Sequence, residues 1–151
     1  MRDVEVADGD RRVVVVAVDK GEDAVAAVNE VAARHGLRGA RVTAVGGFSS
    51  AELGYFDRDK RDYRRIPVRE QVEVLSLLGD IADDGGRAAL HVHAVLGRAD
   101  GSTVGGHLLR GEVWPTLEVI ITEVGARLAK RLDPETGLAL LAGTARQDLL
   151  G

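Results

Sequence analysis

The chain has 151 residues, 45% of them hydrophobic and 29% charged, which predicts one folded domain over residues 1–151. It lacks cysteine, which excludes disulfides and thiolate metal ligands, and its net charge of −4 argues against a general nucleic-acid binder. No apolar run reaches the length of a membrane span and no signal peptide is evident, so we expect a cytoplasmic protein without a membrane partner.

The first part of the chain predicts a buried strand followed by a helix. Residues 1–10 are polar, and we expect them to be irregular. Residues 11–18 form a continuous β-branched run, which predicts a strand buried on both faces. Apolar residues then recur at helical spacing over about residues 21–35, and Asp19 and Glu22 have the spacing of a capping box at the start of this helix.

Strand patterns dominate the rest of the chain. Further strands are predicted at residues 37–48, 52–57, 63–68, 70–81 and 112–124. The charged turn at residues 58–61 joins two of them in a hairpin, and Pro115 implies a bulge or a sheet edge. These patterns predict an α+β fold, a mostly antiparallel β-sheet with one main helix packed on it. Its core covers about residues 12–124, and a mixed tail follows at residues 125–151.

Residues 90–111, LHVHAVLGRADGSTVGGHLLRG, carry three of the four histidines. The tripeptide ADG at residues 99–101 is typical of a three-residue hairpin loop, in which a type I turn precedes a left-handed glycine. Counting outward from this loop pairs His93 with His107 across the two strands. His91 lies two residues from His93 and therefore on the same face of the sheet. The sequence thus predicts that the three imidazoles converge on one patch.

The opposite face of this predicted hairpin is apolar, which supports the register. It carries Leu90, Val92, Leu96, Val104 and Leu108. A shift of one residue would move His107 onto that apolar face. Gly105 and Gly106 remove side-chain bulk beside His107, which leaves room for a ligand or for another backbone.

Three neutral imidazoles on one patch match the open three-histidine arrangement of zinc sites. Without thiolates, Zn²⁺ is the default divalent metal, at one ion per chain, although Ni²⁺, Co²⁺ and Fe²⁺ also bind imidazole. The fourth position would hold water, substrate or a carboxylate. The alternative is a strand whose histidines simply face solvent. The remaining histidine, His35, ends the predicted helix, where a structural or surface role suits it.

Three other segments are candidates for function. Glu112 and Glu118 share a face of the last predicted strand, and Glu118 is a weak catalytic candidate because an ionised group in an apolar run needs a partner. An exposed strand face or a subunit contact is the preferred interpretation of both. Residues 46–50, GGFSS, could hold an anion, but a sharp strand exit is favoured. The basic run at residues 58–65 could touch nucleic acid, but two aspartates within it favour a solvated hairpin.

These segments together resemble the PPC (plants and prokaryotes conserved) domain family. The histidine hairpin is similar to the family signature, and ARVTAVGGFSSAELGYFD, VEVLSLLGDI and EVIITE are further matching pieces, so the resemblance covers about residues 12–123. No AT-hook motif accompanies them, so the chain looks like the stand-alone prokaryotic form. The resemblance implies an α+β fold with an antiparallel sheet, a homotrimer, and a metal, zinc by default, on His91, His93 and His107.

Three functions stay open from the sequence. We favour a metal-binding homotrimer that acts as an assembly or small-ligand-binding module, because no convincing acid–base pair is evident. The first alternative is a metal-dependent hydrolase or lyase acting on a small molecule. The second is a DNA-binding transcriptional regulator, which the acidic net charge does not favour.

Overall fold

A computed structural model describes residues 1–144 of the protein. Those residues form one helix and nine strands. In chain order these are β1 (Arg2–Asp8), β2 (Arg11–Asp19), α1 (Ala24–Arg34), β3 (Gly39–Asp57), β4 (Asp62–Val68), β5 (Val72–Asp84), β6 (Arg87–Gly97), β7 (Thr103–Glu123), β8 (Leu128–Leu132) and β9 (Ala139–Thr144). No helix in this part of the chain is long and apolar enough to cross a membrane. The end of the predicted tail, residues 145–151, lies outside the described residues.

Four strands form a ring of hydrogen-bonded neighbours. β3 pairs with β5 and β7, and β6 completes the ring because it also pairs with both of those strands. β2 and then β1 extend the sheet from β7, while β4 pairs with β3. All these pairings are antiparallel, whereas β8 joins β5 through one parallel pair, Asp83 with Ala129. The predicted mostly antiparallel sheet with one main helix is confirmed.

Helix α1 begins later than the sequence predicted. Its N-cap is Asp23, whose side chain accepts a hydrogen bond from the Ala26 N–H at 2.9 Å. The Glu22 carboxylate does accept a hydrogen bond from the Asp19 N–H at 2.8 Å, but in the turn before the helix. Gly21 has a φ of +83°, which is outside the helical region and delays the helix start. The predicted capping box is therefore a turn contact, and the helix does not include Gly21.

One face of α1 packs against the sheet and fixes the position of β6. The buried residues of this face are Ala24, Ala27, Val28, Val31 and Ala32. The sheet contributes large buried side chains, among them Phe48, Leu53, Ile81, Leu96, Leu117 and Ile121. On the side of α1 that meets β6, the Asn29 side-chain oxygen accepts a hydrogen bond from the Leu90 N–H at 3.0 Å. The helix therefore holds the backbone immediately before His91.

Two sequence expectations about strands are wrong. Residues 1–10 are not irregular, because Arg2–Asp8 form β1, in which Val4 pairs with Val15 of β2. The predicted strand at residues 37–48 does not end at its glycines, since β3 continues to Asp57 and also includes residues 52–57. A side chain at Gly46 or Gly47 would collide with carbonyl oxygens of β7, so these glycines permit close backbone approach inside the sheet.

The expected irregularity at Pro115 is confirmed. The register of β3 against β7 changes between the pair Gly46–Leu117 and the pair Phe48–Val113, so β7 carries extra residues around the proline. The charged turn at residues 58–61 is also confirmed, because β3 and β4 form the predicted hairpin on either side of it. The β5 strand is longer than predicted and ends at Asp84, before a turn that contains Gly85 and Gly86.

Candidate metal centre

The hairpin of β6 and β7 has the predicted three-residue loop. The Arg98 N–H donates to the Ser102 carbonyl oxygen at 2.8 Å, and the Gly101 N–H donates to the Arg98 carbonyl oxygen at 2.9 Å. Gly101 has a φ of +82°, the left-handed conformation that the loop type requires. The loop sets the register, and His93 lies directly opposite His107 as predicted.

The structure brings the three predicted histidines together on one face. The ring centroids of His91 and His93 are 5.2 Å apart, and the ring of His107 lies 5.2 Å from that of His91 and 5.4 Å from that of His93. One nitrogen from each ring lies within 4.8 Å of the others, an arrangement that could hold a metal ion. Their role as metal ligands stays a prediction.

Two side chains that the sequence analysis did not select support these rings. Tyr63 of β4 stacks on His107, with ring centroids 4.8 Å apart and an angle of 23° between the planes. Asp80 of β5 lies opposite His91, and its Oδ2 is 3.6 Å from the His91 Nδ1. Asp80 could have been found, because counting outward from a two-residue turn at Gly85 and Gly86 pairs it with His91.

The histidines open onto a cavity of about 510 Å³, a volume within the range of small-molecule sites. Tyr63, Asp80 and Leu90 line it beside the three histidines. The remaining wall comes from the hairpin of β8 and β9 and the turn that joins these strands. That wall consists of Lys130, Leu138, Ala139, Leu140 and Leu141. The hairpin of β8 and β9 therefore completes a cavity whose three histidines come from the centre of the sheet.

Burial favours the neutral form of two of these imidazoles, His91 and His107. The pKa of His107 is lowered to about 4, mainly by burial, and the neighbouring charges of His91, His93 and Lys130 contribute to this shift. Burial also lowers the pKa of His91, against the opposing effect of the Asp80 carboxylate. Neutral imidazoles have a free lone pair at one nitrogen, which is the form that binds metals.

The residues present fit a divalent metal ion. The Nδ1 of His107 and the Oδ1 of Asp80 are buried and have no hydrogen-bond partner among the described residues. Buried polar atoms without partners are rare and point to a group that the protein chain does not itself supply. Three imidazoles without thiolates suit zinc, and a nearby carboxylate is the usual orienting partner of a ligating histidine.

The structure does not bring the glutamate candidates to this cavity. Glu118 is exposed on β7 and lines a different groove, together with Leu75, Leu78 and Ile120. Glu112 is also exposed, on the same strand. These positions agree with the preferred interpretation of both glutamates as residues of an exposed strand face.

The other candidate segments contribute to the fold. His35 contacts two carboxylates of β1, with its Nε2 at 2.6 Å from Asp3 and its Nδ1 at 3.1 Å from Glu5. Residues 46–50 lie within β3, so the favoured strand exit is absent and the segment continues the sheet. The basic run at residues 58–65 forms a turn and most of β4, as the hairpin interpretation predicted.

Comparison with known proteins shows the same fold and similar sequences. A metal-containing protein from Archaeoglobus fulgidus superposes with a TM-score of 0.80 at 32% identity, covering 87% of this chain and 93% of that one. A plant- and prokaryote-conserved (PPC) protein of Pyrococcus horikoshii gives a TM-score of 0.82 at 26% identity, covering 94% and 95%. The bifunctional protein GlmU of Synechococcus sp. (strain JA-3-3Ab) is 34% identical over 98 residues, or 64% of this chain. The match spans only 14% of GlmU.

A family profile gives the assignment directly. The profile of the Plants and Prokaryotes Conserved (PCC) domain matches residues 6–125. PCC and PPC are two abbreviations of the same family name. This range includes the helix, the four-strand ring and all three clustered histidines. The chain therefore belongs to the Plants and Prokaryotes Conserved domain family.

Proposed function

We propose that the protein binds one divalent metal per chain, zinc by default, on His91, His93 and His107, and acts as a small-ligand-binding or assembly module. The observation that carries this proposal is the cluster of three imidazoles, each with one nitrogen within 4.8 Å of the others. The similar protein of Archaeoglobus fulgidus is described as metal-containing, which supports the same interpretation here. A cytoplasmic location belongs to the proposal and rests on the sequence alone.

Each neighbouring side chain has a defined task in this proposal. Asp80 orients the His91 ring from β5, and Tyr63 holds the plane of the His107 ring by stacking. A bound metal with an open position would act as a Lewis acid toward a ligand oxygen or a water molecule. The chain's own residues then provide a cavity with an apolar wall and one amine, Lys130, next to that position.

Ligand binding has more support than hydrolysis or lyase chemistry. Among the described residues that line the cavity, Asp80 is the one carboxylate, and it is directed at His91. General acid–base catalysis needs a titratable group within reach of the substrate, and Asp80 is engaged with a ligand histidine. A catalytic role would therefore have to use the metal together with the Lys130 amine or the Tyr63 hydroxyl, which also line the cavity.

DNA binding has little support from the basic run. Arg65 forms an ion pair with Glu52, and Arg61 donates a hydrogen bond to the Pro134 carbonyl oxygen at 2.6 Å. Arg58 lies 3.7 Å from the Asp59 carboxylate. The five basic residues of the run are interleaved with Asp59 and Asp62, so its net positive charge is small, and affinity for duplex DNA depends mainly on such charge.

A homotrimer is the second part of the proposal, and an exposed apolar row on the sheet supports it. Paired residues on neighbouring strands share a face, and such pairs join Val15, Ile120, Thr43 and Leu78 into one row. Ile120 is 49% exposed and Leu78 is 57% exposed. Val45 and Leu75 add further exposed apolar surface to the groove beside this row. Contiguous apolar patches of this kind are typical of protein–protein contacts.

Elemental analysis of purified, metal-loaded protein tests the metal proposal. We expect about one metal ion per chain in the wild type and near none in His107→Ala, because a two-histidine site binds far more weakly. His35→Ala is the matched control, since His35 contacts β1 carboxylates and lies outside the cluster. Equal metal content in wild type and His107→Ala would disprove the assignment of these ligands.

A further inference from the structure

The ligand of this site can be inferred from the residues around it. We propose that the cavity binds a small organic carboxylate with an aliphatic tail, held between the metal position and Lys130, with the tail against Leu90, Leu138 and Leu141. The inference rests on the proposed metal site and adds the chemical class of its ligand.

The charge of the cavity selects an anion. A divalent metal on the three histidines would contribute two positive charges, Lys130 one positive charge and Asp80 one negative charge. The balance is strongly positive in a partly enclosed space, where charge interactions are stronger than in water. Lys130 lines the same cavity as the three histidines, so its ammonium group and the metal can face one ligand.

The number of donors favours a carboxylate over a phosphate. Phosphate sites in proteins use several N–H donors, often from arginine forks or helix N-termini. No arginine lines this cavity among the described residues, and Lys130 is the one charged donor there. A carboxylate has two oxygens, and one metal and one ammonium group are sufficient to hold them.

The apolar wall predicts the rest of the ligand. Lys130 and Leu141 lie opposite each other on β8 and β9, so they share one face of that hairpin. Leu141 is 52% exposed although it lines the cavity, and Leu90 and Leu138 are half-buried there. A cavity of about 510 Å³ is much larger than acetate requires. An aliphatic tail would therefore cover leucine surface that is now in water.

Isothermal titration of zinc-loaded protein tests the inference. The probes are 3-methylbutanoate, acetate as the probe without a branched tail, 3-methylbutanamide as the uncharged probe, and inorganic phosphate. We expect 3-methylbutanoate to bind at least about tenfold more tightly than acetate, since three additional carbon groups are buried. The amide should bind too weakly to measure. Phosphate should bind more weakly than 3-methylbutanoate.

Variants assign the two contacts separately. Lys130→Met keeps the aliphatic stem and should weaken 3-methylbutanoate binding about tenfold, because the charge-assisted hydrogen bond is lost. Lys60→Met is the control, since Lys60 lies in the exposed turn between β3 and β4 and should not alter binding. Leu141→Asn should reduce the preference for 3-methylbutanoate over acetate without removing acetate binding.

Three results would overturn the inference. They are equal binding of 3-methylbutanoate and its amide, tighter binding of phosphate, or wild-type affinity in Lys130→Met. Zinc content is measured in every titrated sample. If zinc is present and the carboxylate preference is absent, the ligand class is wrong while the metal site stands. If zinc is absent from metal-loaded wild type, both proposals fail.

Discussion

The side chains and backbone around His107 set the pKa and the orientation of its imidazole ring. The ring is half-buried, stacked on Tyr63 and near two other imidazoles, and burial lowers its pKa to about 4. The glycine before it serves the backbone, since a side chain at Gly106 would come within 2.9 Å of the Gly54 carbonyl oxygen. Because β3 and β7 approach closely here, Gly54 lies opposite His107, and the Tyr63 ring of β4 lies next to His107.

Replacement of Tyr63 tests this support. We expect Tyr63→Leu to weaken zinc affinity by about 0.5–1.5 kcal/mol, because the stacked ring no longer restricts the His107 plane. Tyr63→Phe keeps the stacking surface and should bind zinc like the wild type. Competition with a chromophoric zinc chelator measures both affinities, and identical values for the wild type and Tyr63→Leu would show that the stack is incidental.

At the scale of elements, the hairpin of β8 and β9 depends on an ion pair with the centre of the sheet. Asp83 is buried near the end of β5, and its Oδ2 accepts a hydrogen bond from the Arg127 guanidinium at 2.9 Å. Arg38 lies 3.6 Å from the other oxygen of Asp83. This pairing lies next to the single parallel contact between β5 and β8, so it holds the cavity wall in place.

The pH dependence of stability should reveal this ion pair. The Arg127 hydrogen bond lowers the pKa of Asp83, with a smaller contribution from the Arg38 charge. Its stabilisation is therefore fully present above the ordinary carboxyl pKa of about 3.9, and is lost as pH falls through the lowered value. We expect Asp83→Asn to reduce the free energy of unfolding by about 1.5–3 kcal/mol at pH 7. The difference from wild type should shrink toward pH 2 in urea titrations, and a constant difference across this range would contradict the role of the charge.

The sequence predicts the hairpin of β6 and β7 but not the position of the hairpin of β8 and β9. The pairing of β6 and β7 could be predicted residue by residue, because the ADG loop and the alternating apolar pattern agree on one register. The tail has no such local signal, and β8 is placed by contacts with distant residues such as Asp83. Lys130 could therefore not be predicted as a cavity residue. β1 was missed because its polar composition hides an alternation of Val4 and Val6.

At the scale of the whole molecule, the candidate metal site and the exposed apolar row are continuous. Leu78 pairs with His93 across β5 and β6, so the row that begins at Val15 reaches the histidine cluster. A neighbouring subunit on this row would contact the sheet beside the cavity.

A charged residue placed within this apolar row tests the proposed homotrimer. We expect Ile120→Asp to convert the trimer to monomer, because an unpaired carboxylate would be buried in the contact. Leu132→Asp is the control, since Leu132 is 73% exposed on β8 and lies outside the row. Light scattering after size-exclusion chromatography should give three times the chain mass of 16.0 kDa for wild type and control. A monomeric wild type, or a trimeric Ile120→Asp, would contradict the proposed contact.

The central claim is that three imidazoles hold one metal, and anomalous diffraction at the zinc absorption edge tests it most directly. Crystals of zinc-loaded protein should contain one anomalous peak per chain, at about 2.0–2.1 Å from one nitrogen each of His91, His93 and His107. Crystals of His107→Ala should lack that peak. A zinc-loaded wild type whose anomalous peak lies elsewhere, or is bonded to fewer than three of these histidines, would contradict the account.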